Sequence, residues 1–312
     1  LPQMEHGVFL SSAAYRHRMK LVEQNLLAAV NMLTRHARLK TFAPVAVELP
    51  FGEQEGPALE ISLEDGIIIK LQGRIDRVDA ARIQDRYYLR VIDYKSGSRQ
   101  LDLGRCYYGL SLQLPVYLDV ALSNYRYFLD APPLEGGMFY FPVKSPLLRL
   151  DEPPTREEAE KELRKALKMQ GWILKDPELA RSMGAAEDLI NARLTTQGEF
   201  YKGAPALNRE QFAVLRHFTR RKIKSLARQI YRGETAIAPY RIKNETACRY
   251  CGFKACCQFD SLIEGNGYRF LQPLPAEQAL ASMSREVEGG ERHEQGSKMD
   301  SGAAAGHQGE GK

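Results

Sequence analysis

Long apolar runs are missing from this chain: no stretch approaches the ~20 residues that crossing a bilayer requires. No charged start leading into a short apolar core marks a signal peptide. Membrane and secreted classes are therefore not indicated, and the expected address is the cytoplasm. Charge of one sign is also in short supply. The 44 Lys and Arg stand against 39 Asp and Glu, and the resulting +5 permits contact with nucleic acid without arguing for it. Cysteine is scarce and uneven: of five in 312 residues, four fall between Cys248 and Cys257. A secreted disulfide framework spreads its cysteines evenly, so this cluster reads as a metal or cluster site in a reducing compartment. The rest is ordinary. A hydrophobic fraction of 44% and this length allow one large domain or two small ones with an ample core.

Against that plain background two short stretches carry chemistry. They are Gly73-Arg74-Ile75-Asp76-Arg77-Val78-Asp79 and Val91-Ile92-Asp93-Tyr94-Lys95-Ser96. Asp93 and Lys95 are two apart, so on a strand they share a face while Tyr94 takes the other. The runs Ile67 to Val78 and Tyr87 to Tyr94 are joined by the polar stretch Ala81 to Arg86 and read as a hairpin that brings Asp76 near Asp93. Hard carboxylate oxygens suit Mg²⁺ or Mn²⁺ better than a soft metal. A lysine beside them can orient or deprotonate an attacking water and steady developing negative charge. Taken alone, Asp-x-Lys is more often an exposed strand end with a salt bridge. Taken together, the two motifs point to metal-assisted cutting of a phosphodiester.

Downstream, Gln113-x-x-x-Tyr117 places two polar side chains on one face of a helix. Pro115 puts that helix's start, or a kink, at this point. With this third motif the chain resembles the RecB-like nuclease family, whose core has the restriction-endonuclease-like, PD-(D/E)XK fold. The resemblance implies an α/β protein: a mixed sheet flanked by helices, then a helical region and a cysteine-rich iron–sulfur segment. It implies that Asp76 and Asp93, with the main-chain carbonyl of Tyr94, are the metal ligands. Lys95 would be the catalytic lysine, and Gln113 and Tyr117 the helix pair of the same site.

Near the C-terminus, Cys248-x2-Cys251-x5-Cys257 is similar to the iron–sulfur arrangement that follows such a core. It implies a [4Fe–4S] cluster, although Cys-x2-Cys by itself leaves zinc open. The order and spacing of all these motifs, over roughly residues 40 to 270, are similar to the C-terminal part of the B subunits of AddAB helicase–nucleases. That layout implies DNA as substrate, a helicase–nuclease A subunit as partner, and a role at duplex ends in recombinational repair.

The sequence departs from the family in two places. The fourth cysteine of the cluster stands far upstream in the family and is expected outside this chain. Cys256 is an extra neighbour, and Cys106 lies beside the Gln-x-x-x-Tyr motif. The family also carries a histidine in a Gly-x-x-x-His-like context before the core, and His6, His17 and His36 do not sit in one. Glu48 is a candidate acidic ligand, though an alternating strand places glutamates outward by default. With Leu1 as first residue, these points lead to the expectation of a piece of a longer polypeptide.

The remaining pattern divides into four expected segments. Residues 1–150 hold the nuclease core, with a basic helix over 11–40 and strands at 43–51, 59–63 and 136–143. Residues 151–235 form a helical region with a basic stripe, Arg220, Arg221, Lys222, Lys224 and Arg228, that either tracks phosphates or is a solvated face. Residues 236–272 are the cysteine segment. Residues 273–312 read as a disordered tail, and the phosphate-loop-like run Gly306 to Lys312 is a chance match without a strand before it. Two rivals remain: a nuclease-fold scaffold that binds DNA without cutting, and a free-standing RecB-like iron–sulfur nuclease. The unbroken set Asp76, Asp93, Lys95, Gln113 and Tyr117 favours the enzyme.

Overall fold

The structure, a computed structural model, describes residues 11–52, 56–63, 66–97, 99–143 and 154–303. His6, Asp65 of the expected Asp65-Gly66 turn, Ser98 and the run 306–312 lie outside the described residues.

Helix α1 (Ala13–Arg38) starts where the Ser12 side chain accepts the Tyr15 N–H at 3.2 Å. Strands β1 (Ala43–Phe51), β2 (Leu59–Ser62) and β3 (Ile68–Leu71) follow, with β2 and β3 paired as a two-stranded sheet. The expected run Ile67 to Val78 is broken at Gln72, and its second part begins β4 (Gly73–Ile83). That strand turns into β5 (Arg86–Lys95) through Gln84 and Asp85. Both turn residues are left-handed, φ 47° and 60°, which is the two-residue geometry whose twist matches that of paired strands. The hairpin is the one expected from the sequence, and its turn is tighter than the six-residue link suggested.

After α2 (Leu103–Tyr107), helix α3 (Gln113–Ser123) begins at Gln113, so Pro115 falls in its first turn, where no helical donor is lost. It lies against β5 and β6 (Leu134–Pro142). Helix α4 (Arg156–Ala166) carries the expected capping box between Thr155 and Glu158. Then come β7 (Gln170–Leu174), α5 (Pro177–Ser182), β8 (Ala206–Leu207) and α6 (Arg209–Tyr231).

The main sheet has the order β1-β4-β5-β6-β7-β8. It is mixed: β5 runs parallel to β6 and β7 to β8, and the other neighbours are antiparallel. The expected helical region 151–235 is therefore corrected, because β7 and β8 inside it complete the sheet. Gly171, Ile173 and Leu174 are buried, so β7 shows no polar–apolar alternation to announce it. A Cβ on Gly171 would stand 1.9 Å from the Met138 carbonyl oxygen, so only glycine allows β6 and β7 to approach this closely.

The described residues fall into two compact units. The first holds the six-stranded sheet within residues up to 60, 70–101 and 113–212. The second comprises 61–69, 102–112 and 213 onward. In the second unit, β9 (Tyr240–Ile242), β10 (Glu245–Thr246), α7 (Lys254–Cys257) and β11 (Arg269–Phe270) form the cysteine segment, with strand order β10-β9-β11. Here Arg105 grips Glu245 through two hydrogen bonds of 2.9 and 2.8 Å. The expected disordered tail is also corrected, because residues up to 303 continue as α8 (Ala276–Ala303). Ala279, Leu280, Met283 and Val287 are buried along its first turns, against α2 among others. The Gly- and Glu-rich second half hid this short apolar stripe from a reading of periodicity. Part of the basic stripe of α6 is used internally: Lys222 Nζ lies 5.0 Å from the Phe218 ring centre, and Arg221 donates to the Val287 carbonyl at 3.2 Å. Among the described residues no helix is long and apolar enough to cross a membrane.

Candidate active site

The register of the hairpin pairs Arg77 with Ile92, so one step further Asp76 falls opposite Asp93. The Asp76 side chain closes this end of the hairpin, its Oδ2 accepting the Tyr94 N–H at 2.8 Å. Alternation along β5 turns Asp93 and Lys95 to one face and Tyr94 to the other. Gln113, first residue of α3, covers the Asp93 face and links its groups. Its Nε2 donates to Asp93 Oδ1 at 2.8 Å and to the Tyr117 hydroxyl at 3.0 Å, and its Oε1 accepts from Lys95 Nζ at 3.0 Å. Lys95 is also ion-paired with Asp93 Oδ2, and its ammonium lies 5.4 Å from the centre of the Tyr140 ring. The structure thus gathers Asp76, Asp93, Lys95, Gln113 and Tyr117 at one end of the sheet.

The electrostatics follow from burial. Asp93 is only 1% exposed, and burial pushes its pKa above the ordinary carboxylate value, with Asp76 adding to the rise and Lys95 opposing it. Burial also raises Tyr117 above the usual phenol range; Gln113 opposes, and Asp93 and Asp76 add to the rise. Tyr117 therefore stays protonated at neutral pH.

The opposite face of the hairpin carries a feature that the sequence motifs did not single out. Asp79 is fully buried and held from two sides, by Arg77 (2.6 and 3.0 Å) and by Arg90 (2.9 and 2.8 Å). Arg77 also reaches the Tyr94 hydroxyl at 3.4 Å, and the Tyr94 ring meets Phe141 edge-on at 5.7 Å. The signal was present, since Arg77 and Asp79 alternate with Asp76 and Val78 along β4. His36 packs on the same side, 6.5 Å from Phe141 between ring centres, with both ring nitrogens buried and unpartnered. Burial, reinforced by Arg90 and Arg77, pushes its pKa down to about 3, so it stays neutral. It stands behind the sheet with Tyr94, away from Asp93 and Lys95. Glu48 falls at the register position opposite Asp76, yet its carboxylate lies 3.6 Å from exposed Arg74. Among the described residues no three His, Cys, Asp or Glu side chains converge as a metal site.

For a hard divalent ion the donor set is carboxylate oxygen. Asp93 Oδ2 is buried without a hydrogen bond of its own, with only the ammonium of Lys95 as charge partner. A buried carboxylate oxygen left this way fits a cation. For a softer centre, Cys248, Cys251 and Cys257 are free thiols on one loop, and the Phe253 N–H points at Cys251 Sγ, 3.4 Å away. Their chemistry fits a thiolate-held metal or cluster, although the three are not drawn together around one point. Cys106 is different. It is buried, its Sγ donates to the Ser111 carbonyl at 2.8 Å, and burial pushes its pKa up to about 12.

Residues 3–258 match the family model described as the PD-(D/E)XK nuclease superfamily. The chain belongs to this superfamily. The mixed sheet with flanking helices agrees with it, and Asp76 followed by Asp93-Tyr94-Lys95 supplies the acidic and lysine positions that give a PD-(D/E)XK nuclease its label. The chain is also similar to proteins named as the B subunit of an ATP-dependent helicase/deoxyribonuclease. It is 40% identical over 298 residues to the one from Desulforamulus reducens, covering 94% of this chain and 26% of that protein. It is 42% identical over 281 residues to the one from Moorella thermoacetica, covering 88% and 24%. The chain thus spans about a quarter of the length of the curated relatives it matches.

Proposed function

We propose that this chain hydrolyses DNA phosphodiesters with a divalent ion, as the nuclease part of a helicase–nuclease. The observation that carries the reading is the single constellation of Asp76, Asp93, Lys95 and Gln113 at the end of the β4–β5 hairpin. Asp76, Asp93 and the main-chain carbonyl of Tyr94 would hold Mg²⁺ or Mn²⁺. When bound, the ion polarises the scissile phosphate and lowers the pKa of a coordinated water. Lys95 orients the attacking water for in-line displacement and steadies charge building on the phosphate. Gln113 keeps Asp93 and Lys95 in mutual register, and Tyr117, protonated, holds Gln113 in place and donates toward the site.

Cys248, Cys251 and Cys257 would hold a [4Fe–4S] cluster, completed by a fourth ligand outside this chain, which fastens the cysteine segment without redox work. This rests on the thiol chemistry and on the resemblance to the helicase–nuclease B subunits. The names of the relatives support a helicase–nuclease A subunit as partner, broken duplex ends as substrate in recombinational repair, and a cytoplasmic address.

The test is cleavage of linear DNA in the presence of a chelator. The rate falls to background in excess chelator and returns on adding Mg²⁺ or Mn²⁺. Cleavage that persists at full rate after chelation sinks the proposal.

A further inference from the structure

The cysteine segment leaves unusually large rings bare. Tyr250 is 85% exposed, Phe253 75% and Phe270 70%. A cluster of this kind marks an interaction surface more often than scattered single residues do. Phe270, on β11 at the edge of the three-stranded sheet, ends a contiguous row of rings. Its ring lies 6.3 Å from Tyr268, which in turn lies 5.0 Å from Phe259.

Cations are laid over these rings. The Arg241 guanidinium is 5.4 Å from the Tyr268 ring centre, and that of Arg249 is 5.2 Å from Tyr250. Lys243, Lys254 and Arg269 add positive charge in the same segment. Of its acidic residues, Glu245 is already held by Arg105 and Tyr240, and Asp260 Oδ1 accepts the Leu262 N–H at 2.9 Å.

We propose that this surface binds single-stranded DNA, with bases stacking on the exposed rings and the arginines and lysines following the phosphates. It rests on the reading of DNA as substrate and adds a second place where the chain grips it. Every base offers a π-face, so such a platform holds strands of any sequence, and a nearby guanidinium strengthens the stack. An apolar protein partner would want the rings free of cations. The arginines over Tyr268 and Tyr250 favour a polyanion with flat, apolar bases.

The experiment uses the full chain carrying Asp93→Asn, so that binding is read without cleavage. Fluorescence anisotropy compares a single-stranded oligonucleotide with one of equal length whose central sites are abasic. The abasic strand should bind about tenfold more weakly, and Tyr250→Ala and Phe270→Ala should each lose about tenfold on the normal strand. Phe270→Trp should restore binding, and Phe270→Leu should not. Equal affinity for the two strands, or alanine variants that bind as the parent does, would overturn the proposal and leave the rings to a protein contact. The two readings fail separately. If the chain cleaves DNA but ignores these substitutions, only the stacking surface falls. If it shows base-dependent binding but no metal-dependent cleavage, the surface stands and the nuclease reading falls.

Discussion

Asp93→Asn should lower metal-dependent cleavage by about a hundredfold or more while making the folded chain more stable in the absence of metal. Asparagine keeps an oxygen to accept from Gln113, so the hydrogen bond now measured at 2.8 Å can survive. It lacks the charge to hold a divalent ion or to pair with Lys95. The stability gain follows from linkage. Burial raises the Asp93 pKa in the folded chain above its unfolded value, so the folded state binds the proton more readily. Stability is therefore lost as pH rises from the ordinary carboxylate range through that raised value, and the loss persists at neutral pH. Thermal unfolding in chelator against pH should show this decline in the parent and a flatter curve in the variant. Adding Mg²⁺ should stabilise the parent and leave the variant unmoved, because only the parent binds it in the folded state. Equal cleavage rates, or a variant less stable than the parent at neutral pH in chelator, would count against this assignment.

Asp79→Ala should destabilise the chain by about 3–5 kcal/mol, a large part of the ~5–15 kcal/mol that holds a typical domain together. The loss comes from what is left behind. Arg90 is 2% exposed and Arg77 only partly exposed, and without Asp79 two guanidiniums face each other in the interior. Burial already pulls the Arg90 pKa down, with Asp79 opposing that pull. Urea unfolding reads the effect directly. Asp79→Asn should fall between parent and alanine, since it can still accept one hydrogen bond. A loss under about 1 kcal/mol for the alanine variant would mean that the arginines find water or other acceptors.

The hairpin and its chemistry were legible in the sequence because both rest on local rules. A two-residue side-chain period fixes which groups share a face, and a polar link between two strand patterns fixes their pairing. The i, i+4 spacing of Gln113 and Tyr117 placed them together, and Pro115 marked the start of their helix, as found. The strands β7 and β8 were hidden because a short strand buried on both faces carries no alternation. Helix α8 was hidden because its apolar stripe is brief and its later half is rich in glycine and glutamate. The Asp79 brace was missed for another reason. Its residues lie within the same motif as Asp76, but on the face away from the chemistry, where three charges make sense only once two strands are paired. His36 shows the same limit: its spacing before the core invited a place in the site, and packing put it behind the sheet.

The central claim is that Asp76 and Asp93, from adjacent strands, hold one hard ion together. The most direct measurement is Mn²⁺ binding followed by electron paramagnetic resonance, on the parent chain and on Asp76→Ala and Asp93→Asn. The account predicts a bound ion in the parent, displaced by excess Mg²⁺, and its loss in both variants. Undiminished binding in either variant would contradict it.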